Sequence, residues 1–383
     1  MNFRFLTIAL ATLLTVGLAA DTAWKWSGRL APDAVSLVII GDIQVHARRA
    51  DPASAFTNVR ATLQQADLVY ANLEGVLVAS QGAEGDIPDK KGWTNPGPGG
   101  VLALKSASID VVGLANNVAY GRANILQTKK LLDENGILNV GAGRNLDEAH
   151  RPVVVERDGV KIGFLQYTAR WYREDEQLAT ATEAGVARIT SRDGLAIEPA
   201  DLARLQHDFR RLRPLADIVV VSHHNRDGAT PVQFGAQPPR AAGAPRPDRT
   251  RPEEYQKQFA RTALDTGADL VFGHGTHYVQ GVEVYKGKPI LYAIGHSAFD
   301  QPGYEDSTDG LVVRVVIEGK AIRRVSFVPV SRDASNNVLM LDPSTGDGLK
   351  LVEHVRARSA DVPLRVEGQE VVLLNTTSPT TRR

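Results

Sequence analysis

The 383-residue chain contains no cysteine. A disulfide framework, a zinc–thiolate site and lipid attachment through an N-terminal Cys are therefore excluded. Net charge is missing too: 44 Lys and Arg balance 44 Asp and Glu. Composition offers no footprint for nucleic acid or another bulk polyanion. Several catalytic signatures are also absent, namely a G-x-S-x-G elbow, a Walker loop, and a G-x-G-x-x-G opening a helix after a strand. No solenoid-type repeat is visible. One continuous apolar run sits at the start, in "MNFRFLTIALATLLTVGLAADTAW", where Arg4 precedes Leu6 to Leu18 and small residues follow at Ala19 and Ala20. This reads as an export signal over residues 1–20, cleaved near Ala20, for a periplasmic or extracellular protein. The other reading is an uncleaved membrane anchor, although the run is short for a bilayer-spanning helix.

Hydrophobic residues make up 43% of the chain, enough for one large domain. From residue 35, apolar runs alternate with helix-like stretches. "VSLVIIGD", "ADLVYANLEG", "SIDVVGLANN" and "LNVGAG" read as strands, with helices expected near "ASAFTNVRATLQQ" and "ANILQTKKLLDENG". "PVVVERDGVKIGFLQYTA" reads as a hairpin turning on Asp158-Gly159. Helices around "ADLARLQHDFRRLRPL" and "EEYQKQFARTALDTG" lead into "ADIVVVSHHN" and "ADLVFGHGTH". Nearly continuous apolar strands alternating with helices predict an α/β fold with a parallel-rich sheet covered on both faces. After Gly310 a hairpin around Glu318-Gly319 and one more helix are expected. Residues 226–256, rich in Pro, Gly and Arg, read as an irregular insertion, either disordered or a lid over the site. "KKGWTNPGPGG" is a second loop-like stretch that could line the same face.

The strand ends carry the chemistry. Four strands open on an Asp and finish on polar side chains: Asp67 leads to Asn72 and Glu74, Asp110 to Asn116 and Asn117, Asp217 to His223 and His224, Asp269 to His274 and His277. Glu74, Asn117 and His224 each lie seven residues beyond their Asp. In a parallel sheet held in register, all three would emerge at the carboxyl edge, where α/β folds bind ligands. Asp42 closes the first strand in the same way. Of the nine histidines, six (46, 223, 224, 274, 277 and 296) lie at or just beyond strand ends. Singly, each is an ordinary turn or core residue, and Asp42 could merely cap a helix. Together, carboxylate, amide oxygen and imidazole form the mixed ligand set that suits Mn, Fe or Zn. Two such ions a few Å apart would polarise a phosphoryl oxygen and generate hydroxide. By contrast, Asp133 and Glu134 read as a solvated helix face, and the arginines near 209–213 as an exposed helix side.

In the series "IIGDI", "ADLVYANLEG", "DVVGLANN", "ILNVGAGRNLDEAHRPVVVERDGVKIGFLQYT", "VVVSHH", "ADLVFGHGTHYVQGVEVYKGKPILYAIG" and "AFDQ", the chain resembles the CapA-type capsule-synthesis proteins associated with poly-γ-glutamate. These belong to the calcineurin-like metallophosphoesterase superfamily. The likeness runs from about residue 35 to 370, leaving 371–383 as a tail. It implies a metallophosphatase-like four-layer α/β/β/α sandwich and two divalent ions held by Asp42, Glu74, Asn117, His224, His274 and His277. His224 rather than His223 fits the family's S-x-H strand end. The substrate it implies is an anionic surface polymer or a phosphoester, with a polymer synthase complex at the membrane as partner. Three positions depart from the pattern. The family's Asn-Asn-His ends here in Val118, its His-Trp-Gly-x-Glu becomes "HNRDG" with acidity moved to Asp227, and its Gly-Asn becomes Gly295-His296. Gln44 stands where superfamily relatives often carry a His, and His46 lies two residues on. Val118 cannot move a proton, so either His296 or His46 supplies the catalytic imidazole, or a metal-binding shell remains without catalysis.

Overall fold

The apolar runs build two sheets, and the chain visits them in three stages. In the computed structural model, residues 24–27, 30–78, 94–225, 248–300, 309–359 and 362–374 are described. The first stage lays down four parallel strands: β1 Val35–Gln44, β2 Leu68–Leu73, β3 Val111–Gly113 and β4 Leu138–Val140. The second builds a separate sheet from β5 Val153–Arg157, β6 Val160–Thr168, β7 Ile218–His224, β8 Leu270–His274, β9 Val282–Tyr285 and β10 Lys288–Leu291. Its order is β9-β10-β8-β7-β6-β5, with β6, β7, β8 and β10 parallel. The third returns to the first sheet. There β11 His296–Phe299 lies parallel to β1, and β12 Gly310–Glu318 runs antiparallel to it. β13 Ala321–Arg332, β14 Val338–Met340, β15 Leu364–Glu367 and β16 Glu370–Leu373 extend that sheet outward.

Alternation along β1 explains why the strand is apolar throughout. Val35, Leu37 and Ile39 face a central layer between the sheets, whereas Val38 and Ile40 face a helical layer. Both faces are buried, so no polar face is left to interrupt the run. Helices α1 Gly97–Ser106 and α2 Arg122–Glu134 cover the first sheet, and α3 Pro199–Leu212 and α4 Glu254–Thr266 cover the second. Tyr70 stacks on Phe164 at 5.5 Å and meets Phe272 edge-on at 5.3 Å in the central layer, joining the sheets. Helix α5 Gly346–Arg358 contributes Leu351, Val352 and Val355 to the same layer. The architecture is the α/β/β/α sandwich, not one sheet with helices on both faces.

The four strand-opening aspartates act at the opposite edge from the site. Each accepts a backbone N–H from the neighbouring parallel strand: Asp67 from Ser36 at 2.7 Å, Asp110 from Val69 at 2.8 Å, Asp217 from Lys161 and Asp269 from Val219, both at 2.9 Å. Each backbone N–H of these residues donates to that same strand. They pin register, and the seven-residue spacing is the length of strand between pin and site.

Several elements differ from expectation. "ASAFTNVRATLQQ" forms a 3-10 turn, Pro52–Phe56, and one helical turn, Arg60–Leu63, rather than a continuous helix. β1 continues past Asp42 to Gln44. The late hairpin turns on Gly319 and Lys320, because Glu318 pairs with Ala321. "PGPGG" is not loop: α1 begins at Gly97, after Pro96 has set the extended entry. The insertion read as 226–256 ends by Glu253, whose capping box opens α4, and residues 226–247, with Asp227, lie outside the described residues. Residues 371–373 belong to a buried strand rather than a tail, and Ser27, upstream of residue 35, donates its N–H to Glu370 at 2.6 Å. The expected export signal also lies outside the described residues. Among the described residues, no helix is long and apolar enough to cross a membrane.

Candidate metal centre

Register brings the donors together. In the second sheet, His224 pairs directly with His274, and in the first sheet Asp42 pairs with His296 on one side and Asn72 on the other. The carboxyl edges of the two sheets meet, and Asp42 is common to two groups of converging donor atoms. One is Asp42, His224 and His274; the other is Asp42, His277 and His296. In each group the donor atoms lie within 4.8 Å of one another. All five side chains are buried.

Hydrogen bonds fix the orientation of this cluster. Gln166 Oε1 accepts from the Ala115 N–H at 2.7 Å, so the amide nitrogen faces the other way. It donates to Asn72 Oδ1 at 2.8 Å and to His274 Nε2 at 3.1 Å. His274 Nδ1 lies 2.9 Å from His224 Nδ1 and 3.4 Å from Asp42 Oδ1. His224 Nε2 then donates to Asn117 Oδ1, and Asn117 Nδ2 donates to the Tyr172 hydroxyl at 3.3 Å. Asn72 Nδ2 donates to Asp42 Oδ1 at 2.7 Å, and the Gly275 N–H donates to Asp42 Oδ2 at 3.1 Å. On the other side His277 Nδ1 meets His296 Nε2 at 2.7 Å, while the His296 ring stacks on Phe299 at 4.0 Å.

Burial sets the charge states. It pushes His224, His274 and His277 well below the ordinary imidazole range, with neighbouring imidazoles adding to the effect and Arg170 adding to it at His224 and His277. Neutral imidazole is the form that ligates metal. Burial raises Asp42 to about 7, against hydrogen bonds from Asn72, Gly275 and Glu74. A cation beside Asp42 would favour its ionised form. The residues fit a divalent metal: several nitrogen donors and a carboxylate converge in a buried place with their outer atoms already held.

Local backbone serves the same end. In "GHGTH", Gly275 has φ 87° and His277 has φ 65°. The left-handed region is costly for a residue with a Cβ, and such strain concentrates at functional sites. A Cβ on Gly275 would lie 2.7 Å from the His224 ring. A Cβ on Gly113 would lie 2.3 Å from both the Gln166 amide nitrogen and the Tyr70 hydroxyl. Small residues therefore let the two sheet edges close.

The structure divides the expected residues. Asp42, His224, His274 and His277 converge, and Asn117 is tied to them through His224. Glu74 is buried and reaches the Asp42 carboxyl, but lies outside both donor groups. His296 joins the second group. His46 does not: it opens the 3-10 turn His46–Arg48 and is in neither group. His223 points away, stacked on Phe259 at 4.6 Å, with burial pushing it down to about 3. Asn116 braces the loop, donating to the Leu73 carbonyl at 2.8 Å. Val118 is buried. Sequence reading named Asn72 only as a polar strand-end residue and passed over Gln166 and Asn95, which accepts from the Val45 N–H at 2.8 Å and donates to the Glu74 carbonyl at 3.1 Å. The available signal was an uncharged amide inside an otherwise buried strand, as in "IGFLQYT".

Residues 36–234 and 246–301 match the family model described as Bacterial capsule synthesis protein PGA_cap. The chain is 25% identical over 344 residues to the capsule biosynthesis protein CapA of Bacillus anthracis, covering 86% of this chain and 76% of that one. It is 24% identical over 327 residues to the PGA biosynthesis protein CapA of Bacillus subtilis (strain 168), covering 80% and 76%. A probable polyglutamine synthesis accessory protein of Mycobacterium tuberculosis (strain H37Rv) is 30% identical over 243 residues, covering 62% and 57%. Among solved structures, a hypothetical protein from Thermus thermophilus aligns with TM-score 0.46 and 14% identity, over 78% of this chain and 100% of that one.

Proposed function

Because the chain belongs to the family of bacterial capsule synthesis proteins, we propose that it is an exported, divalent-metal-dependent hydrolase acting in the biosynthesis of poly-γ-glutamate or a related surface polymer. The observation that carries this reading is the carboxylate of Asp42, shared by two groups of buried imidazoles. Asp42, His224 and His274 would hold one divalent ion, and Asp42, His277 and His296 bound the place for a second, with Glu74 and Asn117 alongside. Two bound Mn, Fe or Zn ions would polarise a phosphoryl or amide oxygen and supply hydroxide at neutral pH.

The chain's own residues prepare that chemistry. Gln166 and Asn117 hold the outer nitrogens of His274 and His224, so each ring keeps one orientation. Asn72 and the Gly275 N–H hold the two oxygens of Asp42. His296 is assigned the proton transfer to the leaving group, since β11 brings it beside Asp42 and His277 in addition to the family's own imidazoles. The names of the Bacillus relatives support the polymer, and the mycobacterial relative's description as an accessory protein supports a synthase partner. Export rests on the N-terminal sequence alone.

The test is metal analysis of the purified protein together with hydrolysis of bis-p-nitrophenyl phosphate and of a γ-glutamyl amide. Bound metal and turnover, both lost in Asp42→Asn and His274→Ala, are expected. His296→Gln should keep the ion held by Asp42, His224 and His274 and lose turnover. A protein that binds no divalent metal ends the reading. A second reading, a metal-containing protein that binds polymer or synthase without catalysis, is favoured by the buried Val118 at the family's proton-donor position. Stoichiometric metal with no turnover on either substrate, unrescued by Val118→His, would select it.

A further inference from the structure

β6 ends at Thr168, the register partner of His224, and the chain then turns beside the centre. The Ala169 N–H donates to the His224 carbonyl at 2.9 Å. At the next residue the Arg170 N–H donates to Thr168 Oγ1 at 3.2 Å, and that hydroxyl donates to the Arg170 carbonyl at 2.8 Å. The half-buried Arg170 side chain lies over the Tyr172 ring, 5.6 Å from its centroid, with Nη2 3.5 Å from the hydroxyl. The same hydroxyl accepts from Asn117 Nδ2 at 3.3 Å, and Asn117 Oδ1 meets the His224 ring. Buried Gln177 ties the two loops together. Its Oε1 accepts from the Tyr172 N–H at 2.6 Å, and its Nε2 donates to the Asn117 carbonyl at 2.7 Å. Arg170 and Tyr172 are thus held, through Asn117, against the imidazole cluster.

A fixed cation in this position works against the centre when the centre is taken alone. Arginine stays protonated in proteins. After burial and the neighbouring imidazoles, its charge is a further influence holding His224 and His277 below the ordinary range. Those two imidazoles belong to different donor groups, so the charge is felt at both places where an ion would sit. A positive charge this close opposes any divalent ion that the imidazoles hold. Asp42 and Glu74 do not balance two such ions, and Arg170 adds to the excess. An anion lying between guanidinium and metal removes the conflict, because it attracts both. The guanidinium presents five N–H donors in a planar fork that matches an oxyanion, and the Tyr172 hydroxyl adds an O–H beside it.

We propose that Arg170, steadied by Tyr172, makes metal binding at the Asp42 centre conditional on an oxyanion, so that metal and anion load as a pair and neutral ligands are rejected. This rests on the metal-binding part of the function proposed above and does not require hydrolysis. The coupling is reciprocal: whatever factor the anion adds to metal affinity, the metal adds to anion affinity. Arg170 is then a specificity-determining residue that touches the anionic oxygens, and Tyr172 and Gln177 position it.

Calorimetric titration of the full chain with manganese, in sodium sulfate and in sodium chloride at matched ionic strength, tests it. In the wild type, sulfate is expected to tighten manganese binding about fivefold or more relative to chloride. Arg170→Gln should keep its fold by circular dichroism, bind manganese in chloride at least as tightly as the wild type, and lose the sulfate effect. Arg170→Lys keeps the charge without the fork and should restore only part of that effect. Tyr172→Phe should reduce it. A purely structural role for Arg170 predicts the opposite, weaker manganese binding in both salts once the guanidinium is gone. That result, an undiminished sulfate effect in Arg170→Gln, or no sulfate effect in the wild type overturns the proposal. A wild type that shows the coupling but hydrolyses neither substrate keeps this proposal and loses the hydrolase reading, and turnover without coupling does the reverse.

Discussion

At the scale of single residues, Gln166 organises more of the centre than any ligand does. Its amide joins the Ala115 N–H, Asn72 and His274, and so holds the His274 ring in place. Replacing it with Leu strands the Ala115 N–H and Asn72 Oδ1 in a buried place, at about 1–3 kcal/mol each. Removing such an outer partner is also expected to weaken metal binding about 10–100-fold. Gln166→Leu should therefore lower both urea stability and manganese affinity in a titration. Gln166→Glu, which keeps the acceptor for Ala115, should recover stability more than affinity. Should Gln166→Leu bind metal as tightly as the wild type, this positioning role of Gln166 fails.

At the scale of elements, the parallel strands are held at both ends by side chains of opposite purpose. Asp269 receives the Val219 N–H at 2.9 Å and the Arg213 guanidinium at 2.6 Å, far from any donor of the centre. Asp269→Ala is expected to cost about 1–3 kcal/mol in denaturant unfolding, with metal affinity unchanged. At the other end, Gly275→Ala meets both a φ of 87° and the His224 ring at 2.7 Å. Strain of this kind costs about 1–3 kcal/mol, and because the ring must move, metal affinity should fall with stability. The two variants together separate a register pin from a site former. Equal effects on affinity would contradict that division.

At the scale of the molecule, the centre lies between two sheets that share no strand pairing among the described residues. Asp42 and His296 come from the first and His224 and His274 from the second. A cation held by both acts as a cross-link that only the folded state possesses. Saturating metal at 100-fold over Kd adds about 2.7 kcal/mol, which raises Tm by several degrees in a chain of this size. Chelation should reverse that gain in the wild type and change nothing in Asp42→Asn, as read by differential scanning calorimetry. An identical Tm with and without metal in the wild type would mean that the donors do not bridge the sheets.

The sequence by itself determined the strands, their order of polar endings and the kinds of donor available. Short apolar runs rich in β-branched residues, such as "VSLVII", read as strands buried on both faces, and donors such as Asp42, His224 and His274 stand at or near their ends. It could not say that Glu74 and His224 rise from different sheets, because an apolar strand fits equally well beside many neighbours. Nor could it find Gln166, whose importance lies in a partner, Asn72, 94 residues away. His296, as the end of "YAIGH", is already the better candidate in the sequence, and the tertiary structure placed it beside Asp42 and left His46 outside both donor groups. That placement depended on a parallel pairing of β11 with β1, and hydrophobic pattern encodes burial without encoding which chain segment lies alongside.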